Sequence, residues 1–277
     1  MLVMKTVEII THCFAEKIPA FASLLTAQLS SLILWEPRNC MAVLTICYAE
    51  DDQRTKWVIE RLVEIVDGCK EDEPELARAI DTGLVPCPHP RVDMKLLFEL
   101  DRAKLFRRSI GRNMAARRSR ADIVWFADCD YIFGEGCLDA LAASEFTGLT
   151  YPQEVQIHRA HHIGDAEIAR IKPGELFTPD LSLFETKREK FAIGGLQIVP
   201  GDVARKYGYC DGGRWQKPAD PAQGFQDTRE DKAYRQEMIE KCGPSKAIHL
   251  PNLYRFRHSE SAFEDSAKRL AQTAGKV

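Results

Sequence analysis

The chain has 277 residues, 45% of them hydrophobic and 29% charged, with a formal net charge of −3. That is long enough for a substantial core and too apolar for a disordered tail, and the near-neutral balance argues against wholesale electrostatic attraction to nucleic acid. A single domain over residues 1–277 is expected. The first residues lack both an apolar core and a small-residue cleavage site, and the longest apolar stretch, Leu24 to Trp35, is interrupted by Thr26, Gln28, Ser30 and Ser31; neither a secretory leader nor a membrane span is expected. Nine cysteines are scattered with no CxxC pair, an odd count that suits buried free thiols and a reducing, cytoplasmic setting. Cys87-Pro88-His89 lacks a second ligand pair at a useful spacing and is not read as a zinc site.

In chain order, Val7 to Thr11 is a short β-prone run, and Lys17 to Leu34 carries apolar residues at helical spacing. Met41 to Tyr48 is a continuous apolar run of the kind that forms a buried parallel strand, and Val58, Leu62 and Ile65 mark one face of a helix after it. Four prolines make Glu71 to Arg91 an irregular connection. Ser109 is placed to cap a helix over Ile110 to Arg118, and Asp122 to Ala127 is a third apolar strand running straight into Asp128-Cys129-Asp130. Later strands are expected at Thr150 to Ile157, Gln197 to Val199 and Tyr254 to Ser259, with His158, His161 and His162 on a solvent-facing loop. Alternating strands and helices imply an α/β fold with a mainly parallel sheet. In such sheets ligands bind beyond the carboxyl ends of the strands, where Thr11-His12, Glu50-Asp51-Asp52 and Asp128 to Asp130 all fall.

Two carboxylates one residue apart, at the end of a buried strand, can face one divalent ion, and hard oxygen ligands suit Mg²⁺ or Mn²⁺. An Asp-x-Asp by itself is equally a solvent-facing acidic turn. Here it follows Gly111-Arg112-Asn113-Met114-Ala115-Ala116 and Ala121 to Ala127, and that sequence of motifs resembles the central signature of family-two glycosyltransferases of GT-A fold. The resemblance covers roughly the first 140 residues, with Met41 to Asp52 similar to the strand whose terminal aspartates read the donor base. It implies a nucleotide-sugar-binding half over residues 1–140 and an acceptor-binding half, smaller and mixed, over 141–277. It further implies a nucleotide diphosphate sugar as donor, a UDP-sugar foremost, and Mn²⁺ or Mg²⁺ as cofactor. On this resemblance Thr11 and His12 line the nucleobase and ribose pocket, Asp51 or Asp52 accepts from the base, Arg112 approaches the donor, Asp128 meets the ribose or the metal, and Asp130 meets the metal. The sequence departs from the family in Gln53-Arg54 after the paired aspartates, in Thr11-His12-Cys13-Phe14, and in Tyr131 where a third acid is frequent. The Gln-x-x-Arg-Trp signature of processive synthases is absent; Arg214-Trp215 lacks the preceding Gln.

In that family an acidic pair opening a downstream helix supplies the catalytic base; Glu230-Asp231, after Thr228-Arg229, matches it, with Asp231 preferred over Glu230. An acid there also suits the helix dipole alone. Phe191 to Asp211 resembles the acceptor-side stretch, with Gly194 and Gly195 letting a substrate approach the backbone or forming a tight turn. His258 is the candidate for the C-terminal histidine that completes the metal shell in several such enzymes, and Arg255 and Arg257 are candidate diphosphate contacts. The acceptor is a glycan, a small molecule or a modified nucleic acid base, the last because Arg107, Arg108, Arg117 and Arg118 belong to a basic run at 102–120. A nucleotidyltransferase of similar fold is the other enzyme class, but it would need a Gly-rich loop after the first strand, and Ile10 to Pro19 has no glycine.

Overall fold

The first β-prone run forms the middle strand of the main sheet, β1 (Lys5–His12), in a computed structural model that describes residues 4–16, 18–67, 91–223, 225 and 229–258. Its neighbours are parallel: β2 (Cys40–Ala49) on one side and β4 (Ile123–Phe126) on the other, with β3 (Val92–Leu100) parallel outside β2. The sheet continues past β4 through β9 (Gln197–Pro200), which is antiparallel, then β6 (Thr150–Pro152) and β10 (Lys246–Ile248). A second, four-stranded sheet orders β5 (Tyr131–Phe133), β11 (Leu253–Arg255), β7 (Glu154–His158) and β8 (Phe184–Arg188). This is the mainly parallel α/β architecture with a smaller mixed region that the sequence implied. Strands from both halves of the chain enter the main sheet, whereas the small sheet is built from residues 131–255 alone.

The helices are α1 (Pro19–Leu34), α2 (Gln53–Asp67), α3 (Arg102–Leu105), α4 (Arg108–Arg118), α5 (Cys137–Ala143), α6 (His161–Arg170), α7 (Gly201–Tyr207) and α8 (Glu230–Cys242). All of α1 except Phe21 and Leu34 is buried, including its polar residues, because each of these ties down a neighbouring segment. Thr26 Oγ1 accepts from Gly174 N, Ser30 Oγ from Phe177 N and Ser31 Oγ from Phe133 N, while Gln28 Nε2 donates to Asp128 O. The hydroxyls that interrupt the apolar pattern therefore bind loops to a buried helix. No helix among the described residues is long and apolar enough to cross a membrane. The described cysteines, Cys13, Cys40, Cys47, Cys129, Cys137, Cys210 and Cys242, are free, and all but Cys242 are buried.

Several expectations need correction. Ser109 lies inside α4, which begins at Arg108 without a side-chain cap; its hydroxyl instead donates to Trp215 O at 2.6 Å. The single strand expected over Thr150 to Ile157 is two strands in two sheets, broken after Pro152, which has no N–H to continue a ladder. Strands β3, β5, β8 and β10 and helices α3, α5, α6 and α7 were not anticipated. The connection at Glu71 to Arg91 falls, apart from Arg91, outside the described residues, as do Cys87-Pro88-His89, Lys17 and Thr228.

His158 is not on a solvent-facing loop. It ends β7 with no exposed surface, and its ring is stacked on Phe184 at 4.0 Å between centroids. Burial holds its pKa down at about 4. The unfolded chain therefore takes up the proton first as pH falls: this histidine costs nothing above its unfolded pKa near 6.5 and withdraws stability between 6.5 and 4, ~2 kcal/mol by pH 5. Replacing His158 with Phe, which keeps the stack, is expected to make thermal melts less sensitive to acidification from pH 8 to 5. An unchanged loss would assign the sensitivity to other groups.

Candidate active site

The site is built on the turn that carries the chain from the main sheet to the small one. Ala127 N donates to Ile10 O, Asp128 O accepts from Gln28 Nε2 at 2.9 Å, Asp130 O accepts from Phe256 N at 2.9 Å, and Tyr131 then enters β5. Gly195 packs directly behind: a Cβ there would lie 2.6 Å from Asp128 N, and its carbonyl accepts from Trp125 Nε1 at 2.7 Å. Both aspartates are thus fixed at the junction of the sheets by α1, by the residues after β11 and by a glycine that no larger residue could replace without moving the turn.

The two carboxylates meet different surroundings. Asp128 Oδ1 lies 2.9 Å from Arg112 Nη2 and 3.7 Å from Arg108 Nη1. Burial alone would raise its pKa, but Arg112, Arg108 and Arg255 outweigh that and hold the carboxyl below its ordinary range. Asp130 Oδ2 accepts from Arg255 Nε at 2.8 Å and lies 3.9 Å from His258 Nε2. Asp130 in turn raises the pKa of Arg255, with Tyr131 as the second cause. Asp130 Oδ1 is buried and accepts no hydrogen bond among the described residues. A buried carboxylate oxygen without a donor is costly unless something else fills its lone pairs.

A cleft of about 240 Å³ opens over this turn, lined by His12, Arg108, Asp128, Asp130, Arg255 and His258, with Phe21, Leu24 and Phe225 on its apolar side. His12 ends β1 and is buried, and neither ring nitrogen has a hydrogen-bond partner among the described residues. Burial first, then the nearby charges of Arg112 and Arg108, hold its pKa well below the ordinary value, so the ring is a neutral imidazole. Gly111 makes room for it, since a Cβ there would fall 2.4 Å from His12 Nε2.

Six predicted residues stand apart from the cleft lining: Thr11, Asp51, Asp52 and Arg112, and the pair Glu230 and Asp231 at the start of α8. Thr11 is fully buried. Asp51 is half exposed and pairs with Arg102 at 2.8 Å. Asp52 is fully buried at the start of α2, where its carboxylate accepts from Thr55 N, Thr55 Oγ1 and Ala15 N; it acts as a helix cap that also anchors the segment after β1. Arg112, only 1% exposed, lies behind Asp128 rather than in the cleft, donating to Asp128 Oδ1, Ala127 O and Tyr209 Oη. Sequence reasoning did not single out Tyr209, Gln197 or Gln28, and it named Arg108 only as part of a basic run. That run is largely neutralised within the fold: Arg102, Lys104, Arg108, Arg112 and Arg117 each pair with a carboxylate, and Arg107 donates to Lys217 O.

The start of α8 does not line the cleft but is tied to the acidic turn through Arg108 and Gly194. Glu230 is buried and lies 3.3 Å from Arg108 Nε, so Arg108 bridges it to Asp128. Asp231 Oδ2 accepts from Gly194 N at 3.2 Å. Gly194, at φ +48°, sits between the two acids, with the position of a Cβ only 3.6 Å from Asp128 Oδ2. Among the described residues no three His, Cys, Asp or Glu side chains converge into a ready-made metal cage. Asp130 and His258 nevertheless form a two-donor start on one, with Asp130 Oδ1 as the orphaned atom, and Mg²⁺-type sites often draw their remaining ligands from water and substrate phosphates. Asp128 is already committed to arginine.

The chain is thus an α/β protein with an acidic and basic cleft at the carboxyl ends of its central strands. No family model matches it, and no curated protein matches it. Among solved structures, S. aureus TarS aligns over 96% of this chain with 12% identity and a TM-score of 0.44, and S. aureus TarS 1–349 aligns over 96% with 12% identity and a TM-score of 0.46. The chain spans 39% of the first and 64% of the second.

Proposed function

We propose that the protein is a glycosyltransferase that moves a sugar from a nucleotide diphosphate donor, a UDP-sugar foremost, to an acceptor hydroxyl with inversion. The observation that supports this most is the composition of the cleft and of the helix start beside it. Asp130, with an oxygen to spare, and His258 stand beside Arg255 and Arg108, and a second carboxylate, Asp231, stands across Gly194. Asp130 and His258 would hold Mn²⁺ or Mg²⁺, which when bound offsets the negative charge that develops on a departing diphosphate. Arg255 and Arg108 put positive charge on the same side of the cleft, where phosphate oxygens are best accommodated.

Asp231 accepts the proton of the acceptor hydroxyl while that oxygen bonds to the anomeric carbon and the bond from that carbon to the diphosphate breaks. Gly194 N fixes one of its oxygens, and the absence of a side chain at Gly194 leaves the space between Asp231 and Asp128 open. Glu230, buried against Arg108, is suited to holding that arginine in place.

A panel of nucleotide diphosphate sugars offered with Mn²⁺ or Mg²⁺, read by release of the nucleotide diphosphate, tests the reading. Turnover of at least one UDP-sugar that stops on chelation is expected. Incorporation of a nucleoside monophosphate from a triphosphate, with no turnover of any nucleotide sugar, would replace it with nucleotidyl transfer.

A further inference from the structure

A buried chain of hydrogen bonds runs from the acidic turn to the proposed base, and none of its middle members touches the cleft. Arg112 Nη2 donates to Asp128 Oδ1 at 2.9 Å, while Arg112 Nη1 donates to Tyr209 Oη at 3.0 Å. Tyr209 Oη donates to Gln197 Oε1 at 2.8 Å, and Gln197 Nε2 donates to the backbone carbonyl of Asp231 at 2.8 Å. Each link lies on a different element. Arg112 is on α4, Tyr209 follows α7, Gln197 opens β9 in register with Phe126 of β4, and Asp231 is in the first turn of α8.

Tyr209 is the hub. Its N–H is held by Asn113 Oδ1 at 3.0 Å, its ring packs on Phe126 at 4.7 Å, and it stacks on Tyr234 of α8 at 4.2 Å. The guanidinium of Arg112 also lies 5.2 Å from the centre of the Tyr209 ring. Tyr209, Gln197 and Arg112 are all essentially inaccessible to solvent. Arg112 Nε has no partner among the described residues, but every link of the chain itself is made, and moving any of these members strands a further buried donor or acceptor.

We infer that Tyr209 and Gln197 are positioning residues, which set the first turn of α8, and with it the Asp231 carboxylate, at a fixed distance from Asp128. This rests on the reading of Asp231 as the base. The network reaches Asp231 through its main chain, so it orients the carboxylate and does not itself carry the proton. Arg108, bridging Asp128 to Glu230 at the cleft surface, is a second and more accessible tie between the same two elements.

Tyr234 supplies an internal control. Its ring shares the same aromatic cluster, but its hydroxyl is buried with no hydrogen-bond partner among the described residues, so Tyr234→Phe removes an oxygen from the cluster without touching the network. The test compares Tyr209→Phe, Tyr234→Phe and Asp231→Asn in release of UDP from the UDP-sugar that the wild type turns over fastest with Mn²⁺. Tyr209→Phe is expected to lower kcat on the order of tenfold or more with the donor KM unchanged, the scale of a small misplacement of a reacting group. Tyr234→Phe is expected to match the wild type. In an Asp231→Asn background Tyr209→Phe is expected to add nothing, because residues that act through one group are not additive. Amide exchange, which needs no substrate, should speed up across the first turn of α8 in Tyr209→Phe and not in Tyr234→Phe. Equal kcat in the two Phe variants, or an equal further loss in the Asp231→Asn background, would overturn the inference and leave the transferase reading intact. Full activity in Asp231→Asn alone would overturn the base assignment and the inference together.

Discussion

Asp231→Asn is expected to lower turnover of the donor sugar by about 10²–10⁴, the range that a positioned general base contributes, while leaving donor affinity nearly intact. The substitution is close to isosteric, and an asparagine side-chain oxygen can still accept from Gly194 N, so the backbone that separates the two acids is not disturbed. What is lost is the capacity to take a proton from the attacking hydroxyl. Asp231 is not among the residues lining the cleft over the acidic turn, so donor binding has no direct reason to suffer. Parallel measurement of kcat and of donor dissociation constants separates the two effects. A fall in donor affinity as large as the fall in turnover would move Asp231 out of the role of base and into the donor site. Glu230→Gln provides the contrast: Glu230 is buried against Arg108, so its replacement is expected to act on thermal stability more than on the chemical step.

Much of the frame was readable in the sequence because the relevant signals are local. The β-prone run at Val7 to Thr11 and the apolar runs at Met41 to Tyr48 and Asp122 to Ala127 have the pattern of buried strands, and they form the bodies of the three parallel strands β1, β2 and β4. From that alternation the carboxyl ends of β1 and β4 follow, and so does the meeting of His12 with Asp128 and Asp130 in one cleft. His258 also reaches that cleft, although nothing local in the sequence marks a histidine after a three-residue strand.

The remainder depended on contacts that sequence spacing does not encode. Asp51 and Asp52 look alike in the chain, yet one faces solvent beside Arg102 and the other caps α2 from a fully buried position. The family resemblance puts Arg112 at the donor; here two acceptors on the turn after β4 and a tyrosine hydroxyl after α7 allow it to be buried behind Asp128. The break after Pro152 and the burial of His158 both come from a strand leaving one sheet for another, which requires knowing where the second sheet lies. Gln28 was visible only as an interruption of an apolar run. Its meaning, a side chain that holds the carbonyl of Asp128, appears once α1 is laid under the turn.

Joint binding of a divalent ion and a nucleotide diphosphate at Asp130 is the core of the proposed function. Its most direct measurement is the titration of UDP into the wild type and into Asp130→Ala and Asp130→Asn, each with Mn²⁺ and with chelator, by calorimetry or thermal shift. In the wild type, UDP should bind tightly and raise the melting temperature only when Mn²⁺ is present. Both variants should lose that coupling, with Mn²⁺-dependent affinity at least ~100-fold weaker, more than the loss of an outer partner of a ligand typically costs. The Asn variant guards against a trivial outcome: it retains an oxygen for Arg255, so it should fold with that contact in place. UDP binding that is equally tight with and without Mn²⁺ in the wild type, or Mn²⁺-dependent binding that survives in both variants, would contradict the account.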